Sequence, residues 1–462
     1  MEIGAVACIL AINFHGAVET QCRNRAEEYS TMRQRWTWTI CAALSIGAIG
    51  SICHAAALVP QSQARRCGLK RVWFAQVGSL QSTGPVNHIQ YSSGLILAQT
   101  AGGMLTALDA ETGRTLWSVQ VGPRGRQTTE ASANERYVAA VNGSSLYVLD
   151  RANGDVLWQR RLGGAPGAGP AVSETHAFTP MVDGTIEGYA LDGSDKGSPW
   201  IYKSSGSVST PPMATPQSVS WTTERGYFYV ANPAAEGIRY RLETNNAIHG
   251  RPGYWTPNLY AGSTDGSVYG VDEASGQLRW KYAVGDAIFE PPVAVESKLF
   301  AVAQFRGMIC LDTNGPTELW VAPGIAQFVS ASPTRVYTRD KVERLVVLDI
   351  ETGARLASMP LVDVAHLLTN PHSDRIYLVG ETGAVQCLHE IGRPSPVLHI
   401  PPAPPKTEQP AMPRRESVEP ASEPTDAPLP AEEPFPAEEP PMEDNSDEPT
   451  PDFDADDPFA TP

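Results

Sequence analysis

The chain repeats one eleven-residue phrase, Ala107-Leu-Asp-Ala-Glu-Thr-Gly-Arg-Thr-Leu-Trp117, which returns as Val148-Leu-Asp-Arg-Ala-Asn-Gly-Asp-Val-Leu-Trp158. Six tryptophans follow each other at intervals of 44, 41, 42, 80 and 40 residues, namely Trp73, Trp117, Trp158, Trp200, Trp280 and Trp320. The interval of 80 is twice 40, so one copy lacks its tryptophan. A period near 40 predicts a propeller or a related array, because one such unit cannot bury its own apolar faces.

Each unit contains two tight turns set between β-forming residues. The first turn precedes the phrase, as at Asn142-Gly143 and Asp265-Gly266, pairs that suit the positive φ angles of two-residue hairpins. The second turn lies within the phrase, as at Thr112-Gly113. A proline-rich crossing such as Glu290-Pro-Pro-Val then leads into the next unit. Each unit is therefore predicted to be a four-stranded antiparallel blade.

Counting the units gives eight blades. Seven phrases end, in chain order, at Trp117, Trp158, Trp200, near His249, Trp280, Trp320 and Ala357. The fourth is degenerate from Tyr240 onward, and the seventh has alanine where tryptophan is expected. The eighth set, residues 374–389, lacks a final strand, which residues 71–78 supply from the other end of the chain. We predict that this N-terminal strand completes the last blade and removes free sheet edges from the ring.

The phrase resembles the repeat of the quinoprotein-dehydrogenase-like (PQQ-repeat) eight-bladed propellers, in particular their non-enzymatic branch around the outer-membrane protein assembly factor BamB. The resemblance covers about residues 71–390. It implies an all-β fold, a single eight-bladed β-propeller in which the repeated tryptophans dock on neighbouring blades. It also implies a scaffold for protein–protein interactions at the cell envelope. Its relatives carry a lipid, whereas Cys53 here follows a bulky Ile52, which is wrong for that signal.

Enzymes of the same fold are the main alternative. They bind pyrroloquinoline quinone and calcium in an axial funnel, which an adjacent cysteine pair and several carboxylates mark. This chain has no adjacent cysteines and no acidic cluster outside its tail, so we expect no catalytic residue, no cofactor and no metal. A dehydrogenase or small-ligand binder using the funnel stays open as the second function. The recurring aspartates fit turn hydrogen bonds instead: Asp109, Asp150, Asp272, Asp312 and Asp349.

Composition separates the ring, residues 71–393, from the C-terminal residues 394–462. The latter hold 20 of the 40 prolines and a net charge of −14 out of −16, which predicts a disordered, acidic, proline-rich tail. The ring itself is then close to neutral, which disfavours nucleic-acid binding. A further hypothesis makes the tail the functional part, as a spacer or wall-binding arm.

The N-terminal residues predict export. A basic start at residue 32, an apolar run over residues 36–52 and the small residues Ala55-Ala-Ala57 indicate a signal peptide over 32–57, either cleaved or retained as an anchor. Residues 1–31 are interpreted as an upstream extension from a mis-assigned start, or else as a genuine extra segment, and residues 58–70 as a linker. We expect a periplasmic or envelope-associated monomer that binds envelope proteins and touches a membrane only through an uncleaved N-terminal segment.

The fourth blade is where the phrase dissolves, and aromatic residues and arginines accumulate there. Their combination is typical of protein interfaces. The candidate partner-binding residues are Trp221, Tyr254, Trp255, Arg239 and Arg251. In the alternative interpretation the aromatics fill the core of a decayed blade. A second departure, the charged hairpin over residues 339–344, is interpreted as a solvated loop.

Two cysteines lie on segments that are brought together when the N-terminal strand completes the last blade. Cys67 precedes the closing strand, and Cys387 lies on the strand predicted to pair with it. A disulfide between them is conceivable in an oxidising compartment, and two free thiols are the alternative.

Overall fold

The computed structural model describes the following residues: 58–78, 84–195, 198–233 and 237–403. In these ranges the chain forms 32 β-strands and one short helix, α1 (Gln61–Arg66). The strands assemble into eight four-stranded antiparallel sheets. The predicted extension, the signal segment and the tail beyond residue 403 lie outside the described residues.

Each sheet is one blade, whose strands we name A to D from the axis outward. Blades 1 to 4 consist of β2 (Val86–Ser92), β3 (Leu95–Thr100), β4 (Met104–Asp109), β5 (Thr115–Gln120); β6 (Ser132–Ala133), β7 (Tyr137–Asn142), β8 (Ser145–Asp150), β9 (Val156–Arg161); β10 (Ala171–Val172), β11 (His176–Pro180), β12 (Thr185–Ala190), β13 (Trp200–Lys203); β14 (Met213–Ala214), β15 (Val219–Thr222), β16 (Tyr227–Ala231), β17 (Ile238–Glu243). Blades 5 to 8 consist of β18 (Gly253–Trp255), β19 (Asn258–Ser263), β20 (Ser267–Asp272), β21 (Leu278–Ala283); β22 (Val293–Val295), β23 (Lys298–Ala303), β24 (Gly307–Asp312), β25 (Glu318–Ala322); β26 (Ile325–Ala331), β27 (Arg335–Asp340), β28 (Arg344–Asp349), β29 (Arg355–Pro360); β30 (His366–Leu367), β31 (Ile376–Val379), β32 (Ala384–Glu390) and β1 (Leu69–Gln76).

Burial along the strands follows their place in the blade. Strands B and C are the two middle strands of each blade, and neighbouring blades cover both of their faces. All six residues of β3 are therefore buried. Strand D faces solvent on one side: β21 buries Trp280 and exposes Arg279 and Lys281. Between strands B and C, Gly143 adopts a φ of +59°, a conformation that favours glycine. The predicted all-β propeller of eight antiparallel blades is confirmed.

The N-terminal strand closes the ring. β1 pairs antiparallel with β32, which places Trp73 opposite Cys387. Blade 8 therefore takes three strands from the end of the ring and one from its beginning, as predicted. The strand begins at Leu69, two residues before the predicted start.

Residues 58–70, predicted to be a linker, pack against blades 7 and 8. Leu58 and Val59 are buried in the core cluster that these blades share. The Val59 amide donates to Gln386 Oε1 at 3.2 Å, and Gln386 Nε2 donates back to the Val59 carbonyl at 3.1 Å. This segment thus belongs to the folded ring.

The proposed bridge between Cys67 and Cys387 is not formed. Both are buried free thiols, as is Cys310. Cys387 lies opposite Trp73, and the strand from Leu69 to Trp73 alone spans about 13 Å, at roughly 3.3 Å a residue. A disulfide requires Cα atoms within about 7 Å. The alternative of two free thiols therefore holds, because the register of β1 against β32 separates the two cysteines along the blade.

The repeated tryptophan joins one blade to the next. Trp117 Nε1 donates to the Arg151 carbonyl at 2.8 Å, and its ring covers Gly154, whose φ is +79°. A Cβ on Gly154 would lie less than 3.0 Å from the indole. Four further indoles reach carbonyls of the following blade: Trp73 to Ala110 at 3.1 Å, Trp158 to Leu191 at 2.8 Å, Trp280 to Thr313 at 3.4 Å and Trp320 to Ile350 at 2.9 Å.

Between blades 4 and 5 a tyrosine takes this position. The Tyr240 hydroxyl donates to the Asp272 carbonyl at 3.1 Å, and its ring covers Gly276 as Trp117 covers its glycine. The degenerate fourth phrase therefore keeps its docking residue at Tyr240 and does not extend to His249. The missing tryptophan behind the interval of 80 residues is a conservative replacement.

Two other interfaces are built differently. Between blades 3 and 4, Trp200 meets Trp221 edge to face at 6.2 Å between ring centroids, and its Nε1 has no hydrogen-bond partner among the described residues. Between blades 7 and 8, where Ala357 stands in place of tryptophan, the Arg335 guanidinium covers Gly68. Both interfaces remain packed without the repeated contact.

Candidate functional site

Trp221, the first of the five predicted contact residues, belongs to the core. It is completely buried, stacks on Tyr229 at 5.5 Å between centroids and donates from Nε1 to Ser204 Oγ at 2.8 Å. It lies in the apolar cluster between blades 3 and 4. A partner cannot reach Trp221 in the folded ring, so this aromatic fills the core of an irregular blade, which was the alternative interpretation.

The other four predicted residues do not form one surface. Arg239 lies on β17, the outermost strand of blade 4, is exposed and donates to the Gln217 carbonyl at 3.0 Å. Tyr254 and Trp255 lie half-buried on the innermost strand of blade 5. Arg251 precedes that strand. The set therefore spreads from the rim of the ring to its axis.

Arg251 is one of several ionisable side chains that meet at the axis. Its Nη2 contacts Met213 Sδ at 3.5 Å, and burial lowers its pKa while Glu130 opposes that shift. Glu130 precedes the innermost strand of blade 2, just as Arg251 precedes that of blade 5. Burial, Arg251 and His399 lower the pKa of His372 to about 4. Sequence reasoning missed Glu130 and His372, because only the ring geometry brings them together.

Residues 397–399 of the chain itself pack against the A–B turns of blades 7 and 8. His399 is only 4% exposed. Its Nε2 donates to the Ala331 carbonyl at 2.9 Å, and its amide donates to the His372 carbonyl at 2.8 Å. Residues 394–403 were predicted to begin the disordered tail. In the structure they belong to the folded part of the chain.

The opposite face, which carries the B–C turns and D–A loops, exposes large apolar side chains over blades 5 to 8. We call the following four the apolar patch: Phe289, Phe305, Val342 and Val362, exposed by 44%, 77%, 66% and 81%. Their loops are linked: Lys341 Nζ lies 5.7 Å from the Phe305 ring centroid, and the Leu361 amide donates to the Glu343 carbonyl at 3.1 Å. Exposed apolar clusters of this kind mark interaction sites.

Sequence reasoning missed the apolar patch. Val342 lies in the hairpin that was interpreted as a solvated loop, and its charged neighbours pair with each other. Arg344 binds Asp340 at 2.8 Å, and Arg339 binds Glu343. With these charges satisfied locally, Val342 is left as the protruding group. The only signal in the sequence was the absence of the usual glycine turn.

A polar groove lies on the same face between blades 3 and 4. It is open to solvent, has a volume of about 650 Å³ and is lined by Asp183, Lys203, Glu224 and Arg225, with a run of small residues over 204–207. Lys203 pairs with Asp183 at 2.6 Å and lowers the pKa of that carboxyl to about 2. Glu224 accepts from Ser207 Oγ at 2.6 Å. Because its charged groups are largely satisfied internally, the groove offers few groups to a ligand.

The repeated aspartates serve the turns. Asp109 Oδ1 accepts from the Thr112 amide at 2.8 Å, and the same bond recurs from Ser275 to Asp272 and from Thr352 to Asp349, both at 2.9 Å. Within the described ranges, no three His, Cys, Asp or Glu side chains group closely enough to hold a metal ion. Nor does any helix in those ranges have the length and apolarity to cross a membrane.

Comparison with known proteins assigns the family. The family model described as "Outer membrane protein assembly factor BamB" matches residues 70–174 and 142–356, which together are more than half of the chain. The chain belongs to the BamB family. The BamB relative from Yersinia pestis is 22% identical over 338 residues, 67% of this chain and 75% of the relative. That from Shewanella oneidensis is 25% identical over 284 residues, 55% of this chain and 68% of the relative.

Solved structures agree on the fold. BamB from Moraxella catarrhalis superposes with a TM-score of 0.56 at 16% identity and covers 70% of this chain and 97% of its own. The computationally designed Ika8 protein reaches a TM-score of 0.54 at 17% identity, covering 69% and 99%. A natural BamB and a designed protein thus fit the ring about equally well. These two structural similarities therefore support the architecture alone.

Proposed function

We propose that this protein is an exported, non-catalytic propeller scaffold that binds other envelope proteins during outer-membrane protein assembly. The observation that carries the proposal is the family match over residues 70–356, on a ring in which all eight blades are complete. Its relatives are named outer-membrane protein assembly factors. A closed ring with an apolar patch on one face fits a protein that acts by holding others.

The contact surface we assign to this function is the apolar patch. Its members protrude from separate loops, so that a partner surface can cover them together. Burying a phenylalanine or valine side chain contributes about 1.5–3 kcal/mol, and phenylalanine is among the aromatic residues enriched in protein interfaces. The partner expected here is an envelope protein with an exposed apolar surface of its own.

Crosslinking in the native envelope tests the proposal. The double variant Phe305→Asp, Val342→Asp removes the centre of the patch. Its matched control is Leu157→Asp, Ile201→Asp, at positions 49% and 59% exposed on the outer strands of blades 2 and 3. We expect the patch variant to lose crosslinked outer-membrane assembly proteins and the control to keep them, with unchanged circular dichroism for both. Equal capture by both variants would move the contact elsewhere.

The same proposal assigns no cofactor to the axis. Glu130 and Arg251 directly precede the innermost strands of blades 2 and 5, His372 lies in the A–B turn of blade 8, and residues 397–399 bind the A–B turns of blades 7 and 8. Purified protein mixed with pyrroloquinoline quinone and calcium is therefore expected to retain no quinone absorbance after gel filtration. Retained stoichiometric quinone would support the enzymatic alternative.

A further inference from the structure

The face with the A–B turns carries a groove that a peptide already occupies. The groove is formed by the inner turns of blades 6, 7 and 8, through Glu296, Ala331 and residues 372–375. The peptide is the chain's own residues 394–400, which we call the cap segment. It contributes to none of the 32 strands, so the ring is complete without it.

The backbone of the cap segment adds to blade 8 like a short extra strand. The Asp374 amide donates to the Val397 carbonyl at 3.2 Å, and the His399 amide donates to the His372 carbonyl at 2.8 Å. Between them, Ser373 and Leu398 form an antiparallel bridge. Main-chain bonds of this kind hold any extended segment, whatever its sequence.

The groove buries one side chain of the cap segment, that of His399. His399 is 4% exposed, and its Nε2 donates to the Ala331 carbonyl at 2.9 Å. Its Nδ1 has no hydrogen-bond partner among the described residues and lies 3.7 Å from Glu296 Oε1. The neighbours Leu398 and Ile400 are 56% and 72% exposed. The groove therefore has a pocket for one residue, and a histidine fits the acceptor at each of its ends.

A buried arginine fixes the start of the segment. Arg375 is only 1% exposed, and its Nη2 donates to the Pro394 carbonyl at 2.8 Å. Glu111 at 3.2 Å and Asp374 at 3.3 Å hold the guanidinium in place. Asp374 Oδ1 also accepts from the Val397 amide at 3.1 Å. The ring thus presents preorganised charged groups to the main chain of the bound peptide.

We propose that this groove is a peptide-binding site, filled in cis by the cap segment, which accepts an extended polypeptide carrying a histidine once the cap segment leaves. The site lies on the face opposite the apolar patch, so the inference stands independently of the proposed function. A cap segment that must leave before a partner binds makes the site self-inhibited.

A chain ending at Arg393 tests the proposal, because it keeps every strand, including the β1–β32 pair that closes the ring. The probe is a fluorescent peptide with the sequence of residues 393–403, followed by anisotropy. We expect saturable binding to the shortened chain and at least about tenfold weaker binding to the full chain, whose site is filled. A His399→Ala peptide should bind about tenfold more weakly, since it loses a buried hydrogen bond. A Leu398→Ala peptide, changed at an exposed position, should bind within about twofold.

A shortened chain that melts cooperatively yet binds no peptide would overturn the proposal, as would full and shortened chains that bind equally. If the shortened chain does not fold, the full-length His399→Ala variant serves instead. Its cap segment is weakened in place, so it should bind the wild-type peptide up to about tenfold more tightly than the full wild-type chain does. No gain in that variant would equally contradict the inference.

Discussion

Trp117 and Gly154, which belong to neighbouring blades, form one contact that accounts for both residues. The indole covers the glycine and donates to the Arg151 carbonyl three residues before it. A side chain at Gly154 would collide with the ring. The sequence repeat therefore reflects a repeated contact between blades. In this contact the tryptophan of one unit packs on the glycine of the next, where a larger residue would not fit.

Removing the indole should weaken this contact between blades and destabilise the ring. Trp117→Ala is expected to lower the free energy of unfolding by about 3–5 kcal/mol, because it leaves a cavity at a buried aromatic position. Urea denaturation measures the change. The neighbouring Leu116→Ala is the control, since Leu116 is 36% exposed, and it should cost far less. Equal losses for the two variants would show that Trp117 is not a docking residue.

The glycine in this contact, Gly154, gives a second prediction. Gly154→Ala should be destabilising by more than about 1 kcal/mol, because alanine is strained at a φ of +79° and its Cβ meets the indole. Gly315, in the corresponding turn of blade 6, has open space around a Cβ. Gly315→Ala should leave stability unchanged or slightly raised. Thermal melts of the pair decide the point, and a harmless Gly154→Ala would contradict it.

Ring closure depends on the N-terminal strand and not on the tail. Deleting residues 69–76 should abolish cooperative unfolding, because blade 8 loses its outer strand and Trp73 leaves its place on blade 1. Ending the chain at residue 403 should leave the melting temperature within about 1–2 °C. Calorimetry on both chains distinguishes the roles. Loss of folding in the second chain alone would refute the closure by β1.

His372 should make the ring sensitive to mild acid. Burial first, then Arg251 and His399, lower its pKa to about 4 from an ordinary 6.5. Between these values the unfolded chain binds more protons, so stability rises with pH and is lost as pH falls from 6.5 toward 4. The His372 side chain is partly exposed to solvent, which screens its interactions and keeps this loss small. His372→Phe should flatten this slope relative to wild type in urea titrations, and His366→Phe, on the innermost strand of the same blade, is the matched control. Identical slopes for both variants would contradict the assignment.

Much of the fold could be predicted because the same local signals recur in each blade. A turn glycine such as Gly143 and a tryptophan such as Trp117 report local geometry, and local geometry is what a repeat preserves. Tyr240 was missed as a docking residue because it performs the tryptophan's task with a different side chain. The partner of Cys387 was not predicted, since the register that places it opposite Trp73 depends on residues of both strands.

The candidate site was predicted less well, for a physical reason. Aromatics near an interface and aromatics in a core have the same composition, and only burial separates Trp221 from an exposed anchor. Conversely, Phe305 and Val342 are single apolar residues in polar turns, so nothing in the local sequence marks them. The cap segment was taken for tail because its order depends on Arg375 and Asp374, which lie some twenty residues away in the chain.

The most direct test of the central claim is the amount of outer-membrane protein assembled in cells of the native host that lack this chain. Quantitative proteomics of isolated outer membranes should show a loss. The loss should be restored by the wild type and by Leu157→Asp, Ile201→Asp, but not by Phe305→Asp, Val342→Asp at equal expression. Unchanged outer-membrane protein levels in the absence of the chain would contradict the claim that it is an assembly scaffold.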